Sequence, residues 1–149
     1  MNEKPILVVE DNPADRELLV LALQKNEIKN PIVIAEDGAE ALSYLCPRID
    51  GGRAGGKETP ALILLDLKLP KVSGLEVLQQ IRSRKDCKLV PVVIFTSSTE
   101  DKDIDSSYAL GANSYVRKPV TFEDFMALIK QLGIYWLDVN IPPNPRQVN

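Results

Sequence analysis

Short apolar runs alternate with longer amphipathic stretches along this chain, and that alternation predicts five strands separated by helices. The runs Ile6–Val9, Ile32–Ala35, Leu62–Leu65, Val92–Thr96 and 114–116 are too short for helices. Most lack the two-residue alternation of a half-solvated strand, so they read as strands buried on both faces, the pattern of a parallel sheet. Strand-helix-strand repeats with right-handed crossovers then place helices on both faces of that sheet. The fold class expected is α/β.

Between the runs, the helices announce themselves by caps and spacing. Asn12 is placed to cap a first helix with Pro13 at its opening position, where a missing N–H costs nothing. Leu18, Leu19, Ala22 and Leu23 form its apolar face. A second helix is expected over Gly38–Leu45. Ser73 and Glu76 have the spacing of a capping box for a third, whose Leu75, Leu78 and Ile81 point inward. A fourth, over about 102–110, is only weakly apolar. In a fifth, Phe122, Phe125, Ile129 and Leu132 recur at helical spacing and read as core.

The strand ends carry the chemistry. The stretch 60–70, Pro-Ala-Leu-Ile-Leu-Leu-Asp-Leu-Lys-Leu-Pro, delivers Asp66 to the carboxyl end of a buried strand, the edge where open α/β sheets bind ligands. The first strand ends in Glu10 and Asp11. If the two are parallel neighbours, three carboxylates share one crevice, and their repulsion calls for a proton or a hard cation. Mg²⁺ suits such a cluster, because it takes oxygen ligands, uses few carboxylates and shares its shell with phosphate. The fourth strand adds the hydroxyl of Thr96, and the fifth leads to Lys118. Each is an ordinary residue alone; together they form a phosphoryl-binding constellation.

Composition narrows the choices. With 149 residues and 44% hydrophobic content, one compact unit with a sizeable core is expected. Eighteen basic and 21 acidic residues give a net charge of −3, without a basic run, so neither a nucleic-acid nor a membrane-surface partner is expected. The polar opening Met1 to Lys4 leads into an apolar stretch too short for a signal peptide or a membrane span, which points to the cytoplasm. Cys46 and Cys87 lack a metal-binding spacing and read as ordinary thiols. The chain has no His, which removes Ser-His-Asp and Cys-His mechanisms and any phosphohistidine of its own. A Gly-rich insert over about 47–59 includes Gly51 and Lys57 at a P-loop-like spacing. Glu58 stands where a P-loop needs Ser or Thr, and the segment precedes a strand instead of following one, so a surface loop is expected.

From Pro5 to Gly133 the chain resembles the receiver domains of two-component response regulators, on the Glu10-Asp11 pair, Asp66, Thr96 and the Lys118-Pro119 step. The resemblance implies a flavodoxin-like (βα)₅ fold with strand order 2-1-3-4-5. It implies that Asp66 accepts a phosphoryl group from a sensor histidine kinase. Glu10, Asp11, Asp66 and the backbone carbonyl of Lys68 would hold Mg²⁺, while Thr96 and Lys118 would contact the phosphoryl oxygens. Thr96 and Tyr115 match the switch pair that reshapes the face from helix four to helix five. The Lys118-Pro119 bond is expected to be cis, and Lys68 and Ser98 flank the site where acyl-phosphate lifetime is tuned. No catalysis beyond the chain's own phosphorylation and dephosphorylation is implied.

The receiver is expected over 1–137 and a tail over 138–149, with no effector domain after it. The aromatic extension from Ile134 to Leu137, the loop before strand three, and the Asp11-Asn12-Pro13-Ala14-Asp15 opening resemble single-domain regulators of bacterial phytochrome kinases. Tyr135 and Trp136 either bury a dimer or partner surface, with the helix-four to helix-five face as the other candidate, or pack on the fifth helix. Two other readings stand beside this one. A pseudo-receiver would bind without being phosphorylated, and a haloacid-dehalogenase-type hydrolase would require a second Asp where Lys68 stands.

Overall fold

A computed structural model describes residues 4–45 and 59–143; Cys46, most of the Gly-rich insert and the last six residues lie outside it. The strands are β1 (Ile6–Val9), β2 (Ile32–Ala35), β3 (Leu62–Leu65), β4 (Val92–Thr96) and β5 (Ser114–Arg117). All are parallel, in the order β2-β1-β3-β4-β5. The register is unbroken at the carboxyl edge: Val9 lies beside both Ala35 and Leu65, Leu65 beside Ile94, and Thr96 beside Arg117. Because these partners run level, the residues that follow them emerge side by side.

The three central strands β1, β3 and β4 are buried along their whole length, whereas β2 and β5 are mostly half-buried edges. Helices α1 (Pro13–Lys25), α2 (Gly38–Leu45), α3 (Gly74–Ser83), α4 (Asp101–Ala109) and α5 (Phe122–Gly133) complete the chain order. The sheet divides two apolar layers. On one side Leu7, Val9, Ile63, Leu65 and Ile94 meet Val77, Leu78 and Ile81 of α3. On the other, Ile6, Val8, Leu64 and Phe95 meet Leu19 and Leu23 of α1 and Phe125 and Ile129 of α5.

The caps act as their residue types predict. Asn12 Oδ1 accepts from the Asp15 N–H at 3.1 Å, the Ser73–Glu76 capping box closes both ways, and Thr121 caps α5. Helix α4 buries Ser107 alone and has no side-chain cap, in keeping with its thin apolar face. Phe122 departs from expectation. It opens α5 and stays half exposed, because its place in the first turn carries it beyond the end of the layer that buries Phe125.

At the amino edge of the sheet, the Arg82 guanidinium at the end of α3 binds loops together. Nε donates to Gly111 O at 2.8 Å, Nη1 to Lys88 O and Val90 O at 3.0 and 2.7 Å, and Nη2 to Asn113 Oδ1 at 2.7 Å. After α5 the chain continues as a short π-helical segment, Ile134–Val139. There Trp136 and Leu137 pack on the α1–α5 layer while Tyr135 remains about half exposed, its ring edge-on to Trp136 at 4.9 Å. For Trp136 the packing alternative is therefore the one realised.

Candidate functional site

The level strands explain why chemistry gathers at one edge. Asp66 N–H donates to Val9 O at 3.1 Å, Glu10 N–H to Ala35 O at 3.0 Å, and Lys118 N–H to Thr96 O at 2.8 Å. The backbone thus fixes where each of these side chains starts. Glu10, Asp66 and Thr96 are buried, while Asp11 is exposed at the rim.

Three carboxylates close around one ammonium. Lys118 Nζ lies 2.8 Å from Glu10 Oε1, 2.8 Å from Asp15 Oδ2 and 2.9 Å from Asp66 Oδ2. Burial pulls the ammonium pKa down, but the bonds to Asp15, Glu10 and Asp66 outweigh it, and the group stays charged well above its ordinary range. Glu10 answers to the opposite balance. Burial pushes its carboxyl up, the Lys118 bond pulls it back, the Asp66 charge pushes it up again, and it settles at about 7 against an ordinary 4.5.

The three carboxylates of the expected metal set are brought together. One carboxylate oxygen from each of Glu10, Asp11 and Asp66 lies within 4.8 Å of the others. Hard oxygen donors so spaced fit a small divalent cation, which would relieve the crowding that Lys118 relieves only in part. Lys68 is exposed on the adjoining loop, with its N–H 3.4 Å from Asp66 Oδ1. That loop sits tight against α3. Gly74 N–H donates to Leu67 O at 2.9 Å, and a Cβ at Gly74 would stand 2.6 Å from Leu67 Cα and closer still to the Asp66 carbonyl oxygen.

The hydroxyls sit one layer out. Ser98 N–H reaches Thr96 Oγ1 at 3.5 Å, and Ser98 Oγ donates to Asp103 Oδ2 of α4 at 2.6 Å. Tyr115 is half-buried on β5 and donates its hydroxyl to Ser98 O at 2.9 Å, so the proposed switch residue already touches the β4–α4 loop. Burial pushes its phenol pKa up.

Two expectations need amendment. Lys118-Pro119 is not cis, since every peptide bond among the described residues is trans. Trans is the lower-energy isomer of a prolyl amide, and Lys118 Nζ reaches its carboxylates without the rarer one. The second concerns Asp15, which sequence reasoning placed in the opening motif of α1 and not in the site. Its carboxylate completes the ring around Lys118. The available signal was its position three residues after the capping Asn12, in a turn that faces the sheet edge.

No helix among the described residues is long and apolar enough to cross a membrane. A family model described as response regulator receiver domain matches residues 6–130. The chain is 41% identical to a probable methanogenesis regulatory protein, FilR2, of Methanothrix harundinacea, across 94% of this chain and 88% of that one. It is 36% identical to response regulator Rcp1 of Synechocystis sp., across 93% of each. The Mn²⁺-bound Rcp1 structure superposes with a TM-score of 0.83, covering 95% of this chain and 99% of that one. The phosphorylated cyanobacterial phytochrome response regulator RcpA is 36% identical, with a TM-score of 0.87, covering 96% and 100%. The bacteriophytochrome response regulator RtBRR is 51% identical, with a TM-score of 0.73, covering 97% and 86%.

Proposed function

The chain belongs to the response regulator receiver family, and from that premise we propose that Asp66 is its phosphoacceptor. The observation that carries this reading is the meeting of Asp66 with two further acids and Lys118 at one sheet edge. A carboxylate oxygen of Asp66 forms a bond to phosphorus as the N–P bond of a phosphohistidine on a sensor kinase breaks, and the bonding electrons leave with the imidazole nitrogen. Lys118 offsets charge on the transferred group, and Thr96 donates its hydroxyl to a phosphoryl oxygen. Glu10, Asp11, Asp66 and the Lys68 carbonyl would hold Mg²⁺, which when bound neutralises phosphoryl charge. Water later cleaves the acyl phosphate, so the chain promotes only its own phosphorylation and dephosphorylation. Thr96 and Tyr115 form the switch, and its output runs through Ser98 and Asp103 into α4.

The likeness to RcpA and RtBRR supports a phytochrome-type histidine kinase as donor, and a donor that draws its phosphoryl group from ATP supports a cytoplasmic location for both partners. A second copy of the chain is the proposed partner for Tyr135, Val139 and Ile141, which are exposed on the tail, and for the neighbouring helix-four to helix-five face. Sedimentation should show a wild-type dimer weakened in Tyr135→Ala, and a purely monomeric wild type would end that part of the reading.

The deciding experiment is incubation with Mg²⁺ and a small acyl phosphate, read by intact mass. Wild type is expected to gain one phosphoryl group and Asp66→Asn none. No adduct on wild type, or the same adduct on the mutant, would leave a pseudo-receiver as the better account.

A further inference from the structure

An ammonium has three N–H donors, and Lys118 spends all of them on carboxylates: Glu10, Asp15 and Asp66. Two of those partners, Glu10 and Asp66, also belong to the oxygen set spaced for a divalent cation, whereas Asp15 does not. Whatever occupies Glu10 and Asp66 therefore competes with the ammonium for two of the three partners that hold it in place. Asp15 is the partner that stays available. Its backbone is fixed in the first turn of α1 by the Asn12 cap, and its side chain remains about a quarter exposed, so it is not drawn into the crevice. Lys118 has a flexible four-carbon stem, and only its backbone N–H is pinned to Thr96.

We propose that Asp15 is a positioning residue: it anchors the Lys118 ammonium at the sheet edge when cation and phosphoryl group claim Glu10 and Asp66, and so leaves two N–H donors directed at the phosphoryl oxygens. This rests on the reading of Asp66 as phosphoacceptor. It also makes the first helix part of the machinery, since the Asp15–Lys118 bond joins the first turn of α1 to the segment that follows β5. Without Asp15 the ammonium has Glu10 and Asp66 alone to bind, and it competes with an incoming cation for both.

The test uses the full chain, as wild type, Asp15→Asn, Lys118→Ala and the double variant, with Mg²⁺ alone measured by calorimetry. Asp15→Asn is expected to weaken Mg²⁺ binding about fivefold while Lys118 is present and less than about twofold once Lys118 is Ala, because the effect passes through the ammonium. Phosphoryl uptake from a small acyl phosphate, followed by intact mass at saturating Mg²⁺, should slow about tenfold in Asp15→Asn and recover most of that in Asp15→Glu. An equal loss of Mg²⁺ affinity in both backgrounds would show Asp15 acting on the cation by its charge alone and would overturn the proposal. So would wild-type uptake in Asp15→Asn. Thermal melts verify folding, and Asp15→Ser, which also removes the carboxylate, carries the comparison if Asp15→Asn does not fold. A wild type that takes up neither Mg²⁺ nor phosphoryl group overturns the phosphoacceptor reading and this inference together; a wild type that takes up both, matched by Asp15→Asn, overturns the inference alone.

Discussion

The two edges of the sheet each hold a half-buried cation, and the difference between them separates what must move from what must not. At the carboxyl edge Lys118 is met by three carboxyl side chains. At the amino edge Arg82 is met by three backbone carbonyls and one side-chain amide. Backbone carbonyls neither titrate at ordinary pH nor accept a phosphoryl group, and a planar guanidinium matches their fixed directions, so the Arg82 cluster has one state. Carboxylates can do both, and an ammonium on a long stem can follow them. The same formal charge thus serves as a fastener at one edge and as an exchangeable counterion at the other. Helix α4 lies between them. Gly111, just beyond its end, is held by Arg82, while Asp103 in its first turn is held by Ser98.

The contrast can be broken most forcefully from the fastener side. Arg82→Ala strips four acceptors of a charged donor and should cost about 2–3 kcal/mol. In a thermal melt that reads as a drop of about 5–10 °C. Phosphoryl uptake below the melting range should stay within about twofold of wild type; a collapse of uptake in folded protein would erase the distinction between the edges. Next in size comes the proton. Because Glu10 is raised from 4.5 to about 7 in the fold, its contribution to stability is complete below pH 4.5 and is lost as pH rises through 7. Metal-free melts from pH 4.5 to 8 should fall more steeply in wild type than in Glu10→Gln, by a difference on the order of 2 kcal/mol. Parallel curves would remove proton exchange from the account. The smallest effect belongs to exposed Asp11. Asp11→Asn relieves repulsion and should raise the metal-free melting point by about 1–2 °C, while abolishing the upward shift that Mg²⁺ gives wild type. A retained Mg²⁺ shift would exclude Asp11 from the cation set.

How much of this could be read from the chain differs between the same two edges. The strand runs are apolar, short and bounded by polar residues, so β1 to β4 fall where periodicity puts them and β5 extends one residue further, to Arg117. Level parallel strands then carry Glu10, Asp66, Thr96 and Lys118 to one edge without any help from their side chains. The Arg82 cluster left no trace, since its acceptors are mostly backbone carbonyls that every residue possesses. Asp15 was hidden for another reason. Acidic residues are common in a first helical turn, where they complement the dipole, and nothing local separates that use from a bond to a lysine 103 residues away. Phe122 shows the limit of periodicity, which gives a face but not the point where the neighbouring layer ends.

Gly74 carries a consequence for how this edge can change over generations. A lone methyl group there would act as a wedge, levering the opening of α3 away from Leu67 and tipping the strand end that presents Asp66. Alignment of the Asp66 carboxylate is thus gauged by a missing carbon, a tolerance set by the backbone that no rearrangement of charged side chains could restore.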